Sequence, residues 1–159
     1  MVLEINEEIF LYTFAGEEDF SSAKANQMYG KTTYQIYGKT TYLFDLDTFT
    51  VCESGTDEAM AAERTIVFPA VTRAQAQREY IKALDNKRLN HIFRNLDGKA
   101  YWDMFWKYFD DGADKFNTFN MFEDRLRIQK IVEWCDENCI PYYINKKDKV
   151  IRDIMEYEM

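Results

Sequence analysis

Apolar and polar positions alternate most clearly between Tyr42 and Cys52. Tyr42, Phe44 and Leu46 interleave with Leu43, Asp45 and Asp47, Asp47-Thr48 offers a polar turn, and Phe49 to Cys52 returns, which predicts a hairpin. Thr65 to Phe68 reads as a short strand stopped by Pro69, which has no N–H for a ladder. Glu53 to Glu63, small and polar, reads as a loop. The opening segment, Glu4 to Phe14, has no clean period and fits a short helix running into a strand.

Beyond residue 70 the period changes to that of helices. Thr72 is placed to cap a helix through Leu84, with Ala76, Tyr80 and Ile81 inside. Leu89, Ile92, Phe93 and Leu96 mark a second helix ending at Asp97-Gly98, and Tyr101 to Phe109 a third ending at Gly112. Phe119, Phe122, Leu126, Ile131 and Trp134 mark a longer fourth, which stops near Asn138 before Pro141. Val150, Ile151 and Ile154 predict a short final helix. Strands first and helices afterwards is the α+β pattern. The expectation is one domain over residues 1–159, with a small antiparallel sheet in the N-terminal half packed against four to five helices.

Between these halves lies a duplication. Tyr29-Gly-Lys-Thr-Thr-Tyr34 recurs as Tyr37-Gly-Lys-Thr-Thr-Tyr42. An eight-residue shift preserves strand parity, so equivalent side chains would face one side of a sheet, and a lengthened hairpin is the simplest reading. Glu17 to Met28, without β-branched runs and followed by Gly30, reads as a helix.

Composition sharpens the picture through charge. The 159 residues carry a net charge of −8, and 47% are apolar, enough for a sizeable core. The charge is uneven, since the first 63 residues hold three lysines against twelve acids and the remainder is nearly neutral. An acidic front repels phosphate backbones and favours a basic partner surface. The opening Met-Val-Leu-Glu has no basic start followed by an apolar stretch, no run suits a bilayer, and three cysteines make no disulfide scaffold, so a cytoplasmic setting is expected.

Motifs with chemical potential are weak. Gly30-Lys31-Thr32 and Gly38-Lys39-Thr40 lack the upstream glycine of a phosphate loop, which Ala25 and Thr33 replace. Cys135 and Cys139 straddle a helix end without further spaced ligands, and His91 is the lone histidine, so neither a metal nor a cofactor is expected. Arg125, Arg127 and Lys130 interleave with Glu123, Asp124 and Glu133, which reads as a solvated face laced with ion pairs. Tyr101, Trp102, Phe105, Trp106, Tyr108 and Phe109 crowd more aromatic surface into two turns than one helix face buries, so part of it is expected to be exposed.

Several segments are similar to Uncharacterised Protein Family 0158, a group of small bacterial proteins. They are Tyr42-Leu-Phe-Asp-Leu-Asp47, Arg64-Thr-Ile-Val-Phe-Pro69, Leu96-Asp-Gly-Lys-Ala100, and Asp124-Arg-Leu with Glu133-Trp-Cys-Asp-Glu-Asn-Cys-Ile140. The resemblance spans about residues 40–141. It implies a compact α+β domain of bacterial or phage origin, and no activity or catalytic residue comes with it. Where members of that group carry a basic pair after the Gly-x-Ala-aromatic turn, this chain has Trp102-Asp103.

The sequence therefore points to a non-enzymatic interaction protein whose acidic, tyrosine-rich face docks on a basic partner surface, such as that of a nucleic-acid-handling protein. The candidate contacts are Glu17, Glu18, Asp19, Asp45 and Asp47, with Tyr29, Tyr34, Tyr37 and Tyr42 as aromatic anchors. No direct nucleic-acid or membrane contact is expected. The alternative is a small metal-dependent hydrolase or nucleotide-handling enzyme using Asp110, Asp111 and Asp114. A third reading, a nucleic-acid binder, would use Arg94, Lys99, Arg125 and Arg127 beside the aromatic helix.

Overall fold

A computed structural model describes residues 1–15, 40–109 and 113–158; the side chains of residues 113–117 are outside that description. The Glu17–Met28 helix and nearly all of the duplicated segment fall on residues it does not describe.

The predicted hairpin forms as β2 (Tyr42–Asp45) and β3 (Thr50–Glu53), antiparallel with Tyr42 opposite Glu53 and Asp45 opposite Thr50. Asp45 builds the turn itself. Its Oδ1 accepts from the backbone N–H of Asp47 at 2.8 Å and of Thr48 at 3.3 Å, and Phe49 closes the loop at φ +56°. β4 (Thr65–Val67) adds antiparallel to the other edge of β2, giving the order β3-β2-β4. Between β3 and β4, where a loop was expected, a short helix α2 (Asp57–Ala61) forms. Thr56 caps it, its hydroxyl accepting from the Ala59 N–H at 3.3 Å, and Asp57 and Glu58 complement the helix dipole.

The opening segment reverses the expected order. The strand β1 (Leu3–Ile5) comes first, and the helix α1 (Glu7–Tyr12) follows, capped by Asn6. β1 lies parallel to β5 (Tyr142–Ile144), a strand that the local pattern does not announce. The end of the long helix delivers β5. Cys139 at φ +55° lets the Ile140 N–H reach the Cys135 carbonyl at 2.9 Å, and Ile140 turns into the core as the chain leaves through Pro141.

The remaining helices are α3 (Arg73–Leu84), α4 (Lys87–Phe93), α5 (Gly98–Phe109), α6 (Ala113–Glu137) and α7 (Lys149–Met155). Asp97-Gly98, expected to end the second helix, instead opens α5, with the Gly98 N–H on Asp97 Oδ1 at 2.8 Å. The fold is α+β, as the strand-to-helix change of period predicts, with a parallel pair added to the antiparallel sheet.

Two apolar cores share α6. Phe44, Phe68, Ile5 and Ile151 gather round its C-terminal half at Ile128, Ile131 and Cys135. Tyr80, Phe93, Trp102 and Phe105 gather round its N-terminal half at Phe119, Phe122 and Leu126. The aromatic helix α5 is correspondingly more buried than one face allows. Tyr101, Trp102, Phe105, Trp106 and Phe109 are all buried and only Tyr108 is half-buried, because α3, α4 and α6 all contribute side chains to the cluster it fills.

One carboxylate ties the two ends of the described chain together. Asp148 caps α7 through the Val150 N–H (3.0 Å) and Ile151 N–H (3.4 Å), while its other oxygen accepts from the Glu7 N–H that opens α1 (3.0 Å). Asp148→Ala orphans donors at two helix starts, so unfolding free energy is expected to fall by about 2 kcal/mol. Urea denaturation measures it, and an unchanged midpoint would mean that water replaces both caps.

Candidate functional site

The acids of the leading segment divide into those occupied by structure and those facing solvent. The described part, residues 1–15 and 40–63, holds nine acids and no Lys or Arg. Glu4 accepts from Tyr143 Oη at 2.6 Å, Asn6 Nδ2 at 2.9 Å and Asn145 Nδ2 at 3.3 Å, and these bonds hold its carboxyl below the usual range. It fastens β1 to β5. Glu8 accepts from Tyr12 Oη at 2.9 Å.

Two of the sequence candidates are similarly occupied. Asp45, half-buried, makes the hairpin turn described above. Asp47 pairs with Arg64, Nη2 at 2.6 Å and Nε at 3.0 Å, both side chains largely exposed. A surface pair of this kind is worth about 0–1 kcal/mol. It nevertheless neutralises the carboxylate that the sequence offered to a partner, so Asp45 and Asp47 are turn and ion-pair residues here. Glu17, Glu18, Asp19, Tyr29, Tyr34 and Tyr37 lie outside the described residues, as do Asp110, Asp111 and the side chain of Asp114.

Among the described docking candidates, Tyr42 reaches a concavity. Its ring packs against Tyr12, tilted by 52° with centroids 4.6 Å apart, and both rings line a groove of about 480 Å³. Val51 and Cys52 of β3 continue the floor, while Glu53, Thr56, Asp57 and Glu58 make the wall. The spatial reason is simple: Glu53 is the cross-strand partner of Tyr42, and α2 folds back over the end of β3.

Three exposed carboxylates therefore stand over a tyrosine pair, and no Lys or Arg is among the described residues that line the groove. The Cys52 thiol is raised by burial first, and then by the charges of Asp45 and Glu58. Met60, on α2, is 78% exposed and adds a flexible apolar surface to the same helix. Sequence reasoning missed Glu53, Asp57 and Glu58 as a group because it took them for loop residues. Thr56-Asp57-Glu58, a capping residue followed by two acids, was the local signal for a helix start.

The basic residues of the third reading separate, with Arg94 exposed and Arg125 half-buried. Arg127 is 2% exposed and its Nη2 pairs with Glu123 Oε2 at 2.8 Å, while Lys99 pairs with Asp103 at 2.7 Å. The cysteines are free thiols, and burial with Asp136 nearby pushes Cys135 up to about 12, far from a nucleophile at neutral pH. Among the described residues no group of three His, Cys, Asp or Glu side chains is placed to hold a metal ion, and no helix is long and apolar enough to cross a membrane. No family model, curated protein or solved structure matches the chain, so the functional reading rests on its own side chains.

Proposed function

We propose that the protein is a non-enzymatic binding protein whose acidic, tyrosine-floored groove takes a Lys- or Arg-bearing segment of a partner protein. The supporting observation is the groove of Tyr12, Tyr42, Glu53, Asp57 and Glu58, which presents carboxylates with no described cation beside them. A guanidinium or ammonium entering it meets the face of an electron-rich ring, worth about 0.5–2 kcal/mol, and charge-assisted hydrogen bonds to the wall. The groove is an open cleft lined by side chains suited to recognition, and the net charge of −8 would steer a basic partner toward the protein. Surfaces that handle nucleic acid have the required charge, and a partner of that kind would be blocked by occupation of its phosphate-binding groove.

The plain structural account of Asp57 and Glu58 is that they complement the dipole of α2. It leaves Glu53 unexplained, while Tyr42 and Tyr12 also pack in the sheet core. The decisive measurement is fluorescence anisotropy of an arginine-rich peptide at 20 and 200 mM NaCl. Binding is expected at low salt and is expected to weaken at least tenfold at the higher salt and in Glu53→Gln/Asp57→Asn/Glu58→Gln. Binding unchanged by these three substitutions, or none at low salt, would remove the groove from consideration.

A further inference from the structure

We propose that a second cleft, on the opposite half of the sequence, binds the phosphate group of a small phosphate monoester. It lies among the C-terminal part of α3, α4 and the first turns of α5, has a volume of about 360 Å³, and is lined by Arg78, Lys82, Asn90, Arg94 and Tyr101. This is a local reversal of sign in an acidic protein. Three cations converge on one concavity, and one described acid, Asp85, lines it with them.

Two of the three cationic groups have side-chain partners. Arg78 lays its guanidinium 4.1 Å from the centre of the buried Tyr101 ring. Its Nη2 donates to Asp97 Oδ1 at 3.1 Å, and Asp97 is itself anchored by the Gly98 N–H at 2.8 Å. One face and one N–H are thereby fixed, so the remaining donors of the fork are pre-oriented for a planar or tetrahedral oxyanion. Arg94 Nη2 lies 3.3 Å from His91 Nδ1. Lys82 is exposed and makes no ion pair with a described residue, and the Asn90 amide supplies neutral donors one helical turn before Arg94. The dipole of α3 accounts for Lys82 at its last turn, but not for Arg78 one turn earlier or for Arg94 at the C-cap of α4 lining the same cleft.

The size of the anion follows from the rest of the molecule. A polyanion such as duplex DNA must lie along a protein of net charge −8, and its distant phosphates meet the acids of the sheet half. A single phosphate feels chiefly the charges within a Debye length, about 8 Å at physiological salt. Asp85 on the wall excludes a second phosphate nearby and favours a neutral or cationic remainder on the ligand.

The test is a ¹H–¹⁵N titration of the whole chain with inorganic phosphate, then with glycerol phosphate, sodium chloride holding ionic strength constant. Saturable shifts confined to about residues 78–101 are expected. Lys82→Gln, which breaks no ion pair among the described residues, is expected to weaken binding three- to tenfold, and Lys82→Gln/Arg94→Gln more. Non-saturating shifts, shifts that chloride reproduces, wild-type affinity in Lys82→Gln, or tighter binding of a 20-base-pair DNA duplex than of glycerol phosphate would each overturn the proposal. Glu53→Gln/Asp57→Asn/Glu58→Gln is expected to leave the phosphate titration unchanged, which separates the two sites.

Discussion

Replacing Glu123 by alanine lowers the unfolding free energy by about 3–5 kcal/mol, among the largest effects expected of any single substitution in this protein. Glu123 is fully buried between two guanidinium groups. Its Oε2 holds Arg127 Nη2 at 2.8 Å, and its Oε1 lies 3.4 Å from Arg73 Nε; both arginines are 2% exposed. Arg127 also reaches the backbone, while its buried Nε has no hydrogen-bond partner among the described residues. Nη1 donates to the carbonyls of Thr13 at 2.9 Å and Val71 at 2.6 Å, and the guanidinium rests 3.7 Å from the Phe14 ring centre. One side chain of α6 thus ties the exit of α1 and the entry of α3 to the long helix. Arg73 is braced by Asn120 Oδ1 at 2.9 Å and by Trp106, 5.0 Å from its guanidinium carbon.

Removing the carboxylate strands two positive charges in a dry interior, whereas the net gain from the intact cluster is small. The cost should therefore depend on what is left behind. Glu123→Gln keeps an acceptor and the shape, and is expected to cost less than Glu123→Ala. The apolar triple Arg73→Met/Glu123→Leu/Arg127→Met removes all three charges, but it leaves the Val71 carbonyl without its Arg127 donor at about 1–3 kcal/mol, while the Thr13 carbonyl keeps the Val71 N–H at 2.8 Å. It should fall between wild type and Glu123→Ala. Thermal unfolding reads the series, with about 2–4 °C expected per kcal/mol for a chain of this size. A Glu123→Ala midpoint within 2 °C of wild type would show that water reaches the cluster.

That cluster also marks where the sequence was readable and where it was not. The hairpin was legible because its signal is local: alternating side chains, and an aspartate able to bond two N–H groups ahead. Thr72 as a cap was legible for the same reason, its hydroxyl accepting from the Gln75 N–H at 3.1 Å. Glu123 and Arg127 look in sequence like an exposed (i, i+4) pair, and their burial is a property of what packs over them. A trace was present. Glu123 and Arg127 lie four and eight residues after Phe119, so they share the stripe that runs through the core. The β1–β5 pairing left no such trace, since three-residue strands far apart in sequence meet only once α6 has closed the distance. For the candidate site, sequence located the acidic segment and Tyr42 but not the groove. Which carboxylates remain available depends on Arg64 and the hairpin turn claiming Asp47 and Asp45 first.

Phe105→Ala, the second large effect, tests whether α6 makes the two cores one cooperative unit. Phe105 is fully buried at the centre of the helical core, with ring centres 4.7 Å from Phe109 and Phe119 and 5.4 Å from Trp106. Truncating such a ring costs about 3–5 kcal/mol through lost transfer energy and the cavity that packing cannot close. The more informative quantity is where that loss is felt. Trp102 and Trp106 belong to the helical core, while Trp134 packs on Phe44 and Phe68 in the sheet core and donates to the Val67 carbonyl at 3.0 Å. Fluorine labels on the three tryptophans report both cores in one urea titration without further substitution. Because α6 runs unbroken from Phe119 to Cys135 and Arg127 bolts both neighbouring segments to it, all three signals are expected to vanish at a single, lowered midpoint. A Trp134 signal that keeps its wild-type midpoint in Phe105→Ala would show that the sheet core stands alone, and that the long helix frays at its middle rather than transmitting the loss.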